Sequence, residues 1–269
     1  MKHLLLLLLL FPLVWVRAAD AEKEVTKSQW NGFDRLDFKV DGRACLLILP
    51  KTPAPGNPWI WRTEFFGHEP QGDIALLQKG FHAAYIDVQN MYGAPVAIGH
   101  MEKFHAVLTS TWHLSTRPVL EGFSRGGLFA LNWALAHPQQ VSCLYLDAPV
   151  CDFKSWPGGF GKGKASPDDW KRCKQVYNLA SDEDAKAWKL NPVDQCEALS
   201  KAKIPILTIC GDADEVVPLA ENSALLKERC GKLGLDVTLI TKPGGKHHPH
   251  SLKDPGPIVE FVLKYTPAK

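Results

Sequence analysis

Apolar residues recur along this chain in two rhythms. Short, nearly continuous runs lie at residues 35–40, 45–49, 59–61, 82–88, 119–123, 141–146, 206–210 and 237–240. Longer stretches with helical spacing lie at 73–79, 97–113, 125–137, 219–232 and 257–264. Runs that are apolar throughout suit strands covered on both faces, and their alternation with helices predicts a parallel sheet between two helical layers. The first two runs have no helix between them. Asp41-Gly42 stands there instead, a dipeptide suited to a tight hairpin turn. The expected architecture is α/β: a mostly parallel, eight-stranded sheet flanked by helices, with a small cap insertion.

That insertion is where the alternation fails. Residues 152–203 contain no convincing strand but hold Trp156, Trp170 and Trp188 and several glycines. Loops and short helices placed there would suit a cap over the carboxyl ends of the strands, where ligands bind in open α/β sheets; packing on the surface is the alternative.

The amino terminus follows another pattern. Lys2 and His3 precede an unbroken apolar run from Leu4 to Val16, and small residues follow at Ala18, Ala19 and Ala21. The run is shorter than the roughly 20 residues that span a bilayer, so it predicts a cleaved signal peptide, not a stable membrane anchor. Residues 1–18 are the expected leader, with cleavage as late as 21, and 22–269 the α/β domain. The chain is thus expected to be secreted or periplasmic. The formal charge of +2, with its basic residues dispersed, suggests no nucleic-acid partner. No cofactor and no oligomeric state are implied. Seven cysteines in an oxidising compartment allow up to three bridges. Cys45, Cys143 and Cys210 sit in strand-like runs as buried thiols. Cys151, Cys173, Cys196 and Cys230 are better bridge candidates, with no pairing readable.

The chemistry concentrates in three places. Gly122-Phe123-Ser124-Arg125-Gly126-Gly127 follows a strand run and precedes a helical one. A serine on such a turn projects its hydroxyl above the sheet, and side chains two residues away on either side would collide with backbone. The following helix offers N–H groups to a developing oxyanion. A serine hydroxyl needs a base, and the base an orienting carboxylate. Gly211-Asp212-Ala213-Asp214 follows a later strand run; Asp214 is preferred to Asp212 because it lies further into the loop, able to lean toward a histidine. Gly245-Lys246-His247-His248-Pro249-His250 follows the last run. His247 is preferred to His248 as base, and His250 is expected to bond locally or line the entrance. No carboxylate or cysteine stands at ligand spacing from these histidines, so no metal is expected.

These three motifs, in this order, resemble the α/β-hydrolase superfamily from about residue 30 to the end. The doubled Gly126-Gly127 resembles the secreted serine esterase, dienelactone-hydrolase-like and prolyl-oligopeptidase-like branches. The resemblance implies a serine hydrolase with Ser124, Asp214 and His247 as triad. The family's frequent His-Gly oxyanion motif is absent, and Trp61-Arg62-Thr63-Glu64-Phe65-Phe66-Gly67 stands in its place. The resemblance implies the backbone N–H of Arg125 as one oxyanion donor, with Glu64 or Thr63 as the second. Arg125 also resembles the arginine that follows the nucleophile in glucuronoyl-esterase-type enzymes, which implies an acidic-sugar ester; pairing with Glu64 is the structural alternative. Trp61, Arg62, Trp156 and His248 are expected at the substrate, with sugar or aryl rings suited to aromatic residues near the mouth, Trp61, Trp156 and Trp170. The expected activity is hydrolysis of a carboxylic ester, carbohydrate-linked esters being one class. A serine peptidase and a catalytically inactive binding protein on the same fold are the alternatives.

Overall fold

A computed structural model describes residues 25–266, so the expected leader and its cleavage sites lie outside the described residues. The strands are β1 (Thr26–Trp30), β2 (Phe33–Val40), β3 (Arg43–Leu49), β4 (Trp59–Arg62), β5 (His82–Ile86), β6 (Val119–Phe123), β7 (Cys143–Asp147), β8 (Ile206–Gly211) and β9 (Val237–Lys242). They form one sheet in the order β1-β2-β3-β5-β4-β6-β7-β8-β9. From β5 through β9 every pairing is parallel; β1, β2 and β3 join antiparallel at one edge. The mostly parallel α/β architecture stands as expected, with a ninth strand added. β1 reads TKSQW and is exposed over most of its length, so it carries no apolar pattern. Its hairpin signal is the turn Asn31-Gly32, where both residues have positive φ, as do Asp41 and Gly42 in the next turn.

Helices α1 (Gln71–Gln78) and α8 (Gly256–Tyr265) cover one face of the sheet. Helices α2 (Pro95–Ser110) and α3 (Gly126–Ala136) cover the other. The two-residue period of a strand sorts side chains between these layers. On β4, Trp59 and Trp61 enter the α2/α3 layer and Ile60 the α1/α8 layer.

Between β7 and β8 the chain forms α4 (Pro167–Val176), α5 (Asp182–Ala187), a 3₁₀ turn at Pro192–Asp194 and α6 (Cys196–Ala202). These elements have a small apolar core of their own. Phe153, Trp170, Cys173 and Tyr177 gather there against Tyr92, Leu128 and Val217. The expected helix at 219–232 is divided into a 3₁₀ turn (Leu219–Glu221) and α7 (Ser223–Gly231). Asn222 interrupts it, committing its side chain to the N–H of Cys151 (2.9 Å) and to Ser155 Oγ (3.2 Å). No helix among the described residues is long and apolar enough to cross a membrane.

Candidate active site

Ser124 follows β6 directly and takes φ +49°, a left-handed conformation that costs energy for any residue with a side chain. The glycines around it make the turn possible. A Cβ on Gly122 would stand 2.8 Å from Gly126 O, and one on Gly127 would stand 2.5 Å from Pro149 Cβ. The turn is anchored by Ser124 N–H donating to Asp147 O (2.9 Å) and Val150 N–H donating to Ser124 O (2.8 Å).

The loops after β8 and β9 bring two more groups to this turn. Ser124 Oγ lies 2.9 Å from His247 Nε2, and His247 Nδ1 lies 2.7 Å from Asp214 Oδ2. The other oxygen of Asp214 accepts the N–H groups of Val216 (2.8 Å) and Val217 (2.9 Å). Burial works against the Asp214 charge, but the hydrogen bonds from His247 and from this backbone hold its pKa below the ordinary value. Asp212 stays out of this line. Its Oδ1 accepts Gly244 N–H (2.7 Å) and pins the histidine loop. The two loops touch so closely that a Cβ on Gly211 would stand 2.1 Å from Gly245 O.

Two backbone N–H groups flank the serine. Neither Arg125 N–H nor Glu64 N–H has an acceptor among the described residues. Glu64 N stands 3.7 Å from where a Cβ on Gly126 would begin, against the turn. Thr63 N–H is committed to Glu121 O at 2.9 Å, so of the two expected partners for Arg125 only Glu64 keeps a free donor.

The sequence pattern of the prolyl oligopeptidase family matches residues 99–266, a span that includes Ser124, Asp214 and His247. The chain belongs to the prolyl oligopeptidase family. Its fold is that of the α/β-hydrolases. No curated protein sequence matches it. Among solved structures it is similar to a Bacteroides ovatus protein named as a candidate dipeptidyl aminopeptidase IV, with TM-score 0.63 and 16% identity, over 89% of this chain and 35% of that one. It is also similar to an S-formylglutathione hydrolase from Agrobacterium tumefaciens, with TM-score 0.59 and 16% identity, over 90% of this chain and 97% of that one. An acylaminoacyl peptidase from Pyrococcus horikoshii gives TM-score 0.58 and 15% identity, over 84% and 38%. The chain therefore spans about a third of the length of the two peptidases.

Around the serine, this prolyl oligopeptidase family member places charge with care. The Arg125 guanidinium is 15% exposed and loosely held, 3.3 Å from Asn90 Oδ1, 3.4 Å from Glu64 Oε1 and 3.5 Å from Asp169 Oδ1. It lies 5.0 Å from the centre of the Phe65 ring. Burial pushes the Glu64 carboxyl up to about 7, against the pull of Arg125, and its Oε2 has no hydrogen-bond partner among the described residues. The sequence offered no signal for Asn90, Tyr92 or Asp169, which reach this place from the β5 loop and from α4.

Two expected substrate contacts prove to be interior. Trp61 is fully buried, edge-on to Trp133 at 4.9 Å and stacked with Trp59 at 5.3 Å. It sits before the end of β4 on the face that α2 and α3 cover, so it never reaches the mouth. Arg62 is also fully buried, on the opposite face. Its Nη1 donates to Asp73 (2.8 Å) and Glu121 (2.7 Å), and its guanidinium lies 3.8 Å from the Phe123 ring centre. Burial raises the Glu121 pKa against the attraction of Arg62, as befits one of two carboxylates sharing a single buried cation. Trp170 is likewise interior, donating to Asp182 from within the insertion's core. Trp156 is half-buried, 6.4 Å from the Tyr92 ring, and His248 is exposed beside His247 at 4.9 Å between rings.

His250 departs from expectation in a different way. It does not bond locally: its Nδ1 lies 2.7 Å from Asp147 Oδ1, 103 residues away. Asp147 also accepts Ser251 N–H at 2.9 Å. A carboxylate does therefore accompany the histidine cluster, though sequence spacing hid it. One ring nitrogen from each of His247, His248 and His250 lies within 4.8 Å of the others. Two of the three are already turned toward a carboxylate. Burial lowers the pKa of His250 despite Asp147, and burial together with the neighbouring imidazoles lowers that of His248.

Proposed function

We propose that this serine hydrolase cleaves carboxylic esters by acyl transfer, with Ser124 as nucleophile, His247 as general base and acid, and Asp214 as the group that orients the imidazole. One observation carries the reading: a buried line of hydrogen bonds from Asp214 through His247 to a serine held at φ +49°. Ser124 Oγ attacks the ester carbonyl as its proton passes to His247 Nε2. Asp214 accepts from Nδ1–H and balances the imidazolium. The carbonyl oxygen, now negative, accepts from the N–H groups of Arg125 and Glu64. Collapse of the intermediate expels the alcohol, which takes the proton from His247. Water then repeats the sequence on the acyl-enzyme and frees Ser124.

The family alone is equally compatible with amide hydrolysis. The ester reading is favoured by the correspondence with the S-formylglutathione hydrolase, which runs through 97% of that chain. Residues 152–203 act in this reading as a cap over the strand ends, contributing half-buried Trp156 to the mouth, with exposed His248 beside His247. An aryl or sugar ring on Trp156 and a substrate carboxylate on Arg125 would suit a carbohydrate-linked ester, including an acidic one. Export belongs to the same reading, supported by the apolar run at 4–16 and the small residues after it. Amino-terminal sequencing of the mature protein checks it, with a start near residue 19 or 22 expected.

A fluorophosphonate probe tests the core of the proposal. Wild type should be labelled at Ser124 and Ser124→Ala should not, while both melt at similar temperatures. Full labelling of the alanine variant would falsify the assignment. Acetyl, feruloyl and methyl-uronate esters assayed beside peptide amides then separate esterase from peptidase. A peptide amide turned over faster than every ester would replace the ester reading with the peptidase one.

A further inference from the structure

Composition alone could not pair the cysteines, but the fold can. All seven are buried. Cys45 donates to Arg43 O, Cys151 to Pro149 O and Cys210 to Ser223 Oγ. Among the described residues only Cys196 and Cys230 meet sulfur to sulfur, at 2.7 Å. Non-bonded carbon atoms settle at about 3.5–4.0 Å and sulfur is larger, whereas bonded sulfurs stand about 2.05 Å apart.

We propose that Cys196 and Cys230 are joined by a disulfide in the folded protein, tying the end of the insertion to α7. Side-chain hydrogen bonds on both sides of the pair hold the two segments together. Arg229, next to Cys230, donates to Val193 O (2.9 Å) and Asp194 Oδ1 (3.1 Å), just before Cys196. Four residues on from Cys196, Ser200 Oγ lies 3.5 Å from Cys230 O. The two chain segments are held together by these contacts already, with the sulfurs 2.7 Å apart. Asn222, immediately before α7, carries the connection onward to Cys151 N–H and Ser155 Oγ, beside Trp156. The link would therefore bind the cap to the segment that follows the Asp214 loop.

The pair is also poised for the exchange chemistry. The Cys230 S–H points at Cys196 Sγ and, despite burial, lowers the Cys196 pKa, with Arg229 adding to the effect. Cys196 is thus the first thiolate. While the pair is still open to solvent during folding, it attacks one sulfur of an external low-molecular-weight disulfide such as oxidised glutathione, releasing one thiolate. Cys230 gives its proton to a leaving thiolate and attacks Cys196 Sγ, releasing the second. Two cysteine thiols are oxidised, one external disulfide is reduced to two thiols, and both cysteine protons end on the leaving groups.

The test uses the full chain with all its cysteines, reduced, refolded from denaturant in oxidised glutathione, blocked with N-ethylmaleimide in denaturant, digested and mass-mapped. The peptides containing Cys196 and Cys230 should travel as one species short of two hydrogens and separate on reduction. Cys45, Cys143, Cys151, Cys173 and Cys210 should all carry the maleimide. Maleimide on both Cys196 and Cys230, or a link from either to a different cysteine, overturns the proposal. A second readout uses the variant carrying Cys196→Ser and Cys230→Ser. Reductant should lower the melting temperature of wild type by on the order of 5–10 °C and leave that of the double variant unchanged. Equal responses would also overturn it. Neither cysteine touches the triad, so failure here leaves the Ser124 assignment standing, and the reverse holds.

Discussion

At the residue scale, the histidine loop divides its labour by partner. His247 faces Ser124 and Asp214, while His250 faces Asp147. His247→Ala should lower kcat by several orders of magnitude with little change in melting temperature. His250→Ala should do the opposite. It leaves a fully buried Asp147 with one accepted N–H fewer, costing about 1–3 kcal/mol of stability, with a smaller loss of rate. Chemical denaturation and steady-state kinetics on both variants check the division; a dead His250→Ala enzyme of normal stability would reject it. Arg125 can be tested the same way. Its side chain is the counter-charge to buried Glu64, so Arg125→Ala should destabilise the protein more at pH 8 than at pH 5, where Glu64 is protonated. If the guanidinium also binds a substrate carboxylate, the variant should lose rate on uronate esters and keep it on acetyl esters.

At the element scale, β4 shows how strand period divides one short run between core and site. Trp59 and Trp61 share the face under α2 and α3, Arg62 takes the other, and only the residues after the strand reach Ser124. Trp61→Ala should cost about 3–5 kcal/mol of stability, as large-to-small changes in a packed core do, and leave KM unchanged. A raised KM at undiminished stability would return Trp61 to the substrate. The contact between the loops after β8 and β9 makes a second prediction. Gly211→Ala puts a methyl group within 2.1 Å of Gly245 O, so the loop carrying His247 must move away from Asp214. Activity should collapse while the circular dichroism spectrum keeps its α/β form.

At the scale of the whole molecule, stability should carry a pH signature of the site. Burial raises the Glu64 pKa from 4.5 to about 7, so the folded protein holds a proton that the unfolded chain releases earlier. That contribution is complete below about pH 4.5 and fades as pH rises to about 7, worth up to about 3 kcal/mol across the window. His82, His105 and His250, all lowered chiefly by burial, act in the opposite sense, gaining stability as pH rises toward 6.5. The two trends overlap, so wild type alone does not isolate Glu64. The stability difference between wild type and Glu64→Gln does: it should move against wild type as pH rises from 4.5 to 7. A flat difference would show that Glu64 ionises as it does in water.

What the sequence by itself determined was whatever depends on neighbours in the chain. The alternation of apolar runs and helical stretches predicted the parallel sheet, and Asp41-Gly42 predicted its first recognised hairpin. Gly122-x-Ser124-x-Gly126 marked the strained turn, because the collisions that require those glycines lie within a few residues of the serine. β1 was missed because its residues are polar, although Asn31-Gly32 announced its turn. What only the tertiary structure decided depends on groups far apart in sequence. The leaning of Asp214 toward His247, the pinning of Gly244 by Asp212 and the pairing of His250 with Asp147 all join separate strand ends. So do the commitment of Thr63 N–H and the meeting of Cys196 with Cys230. Trp61 and Arg62 went wrong for a related reason. An apolar or charged residue near a strand end looks the same in sequence whether it faces the site or the core. The register of β4 between β5 and β6, with helices closed over both faces, sent both side chains inward.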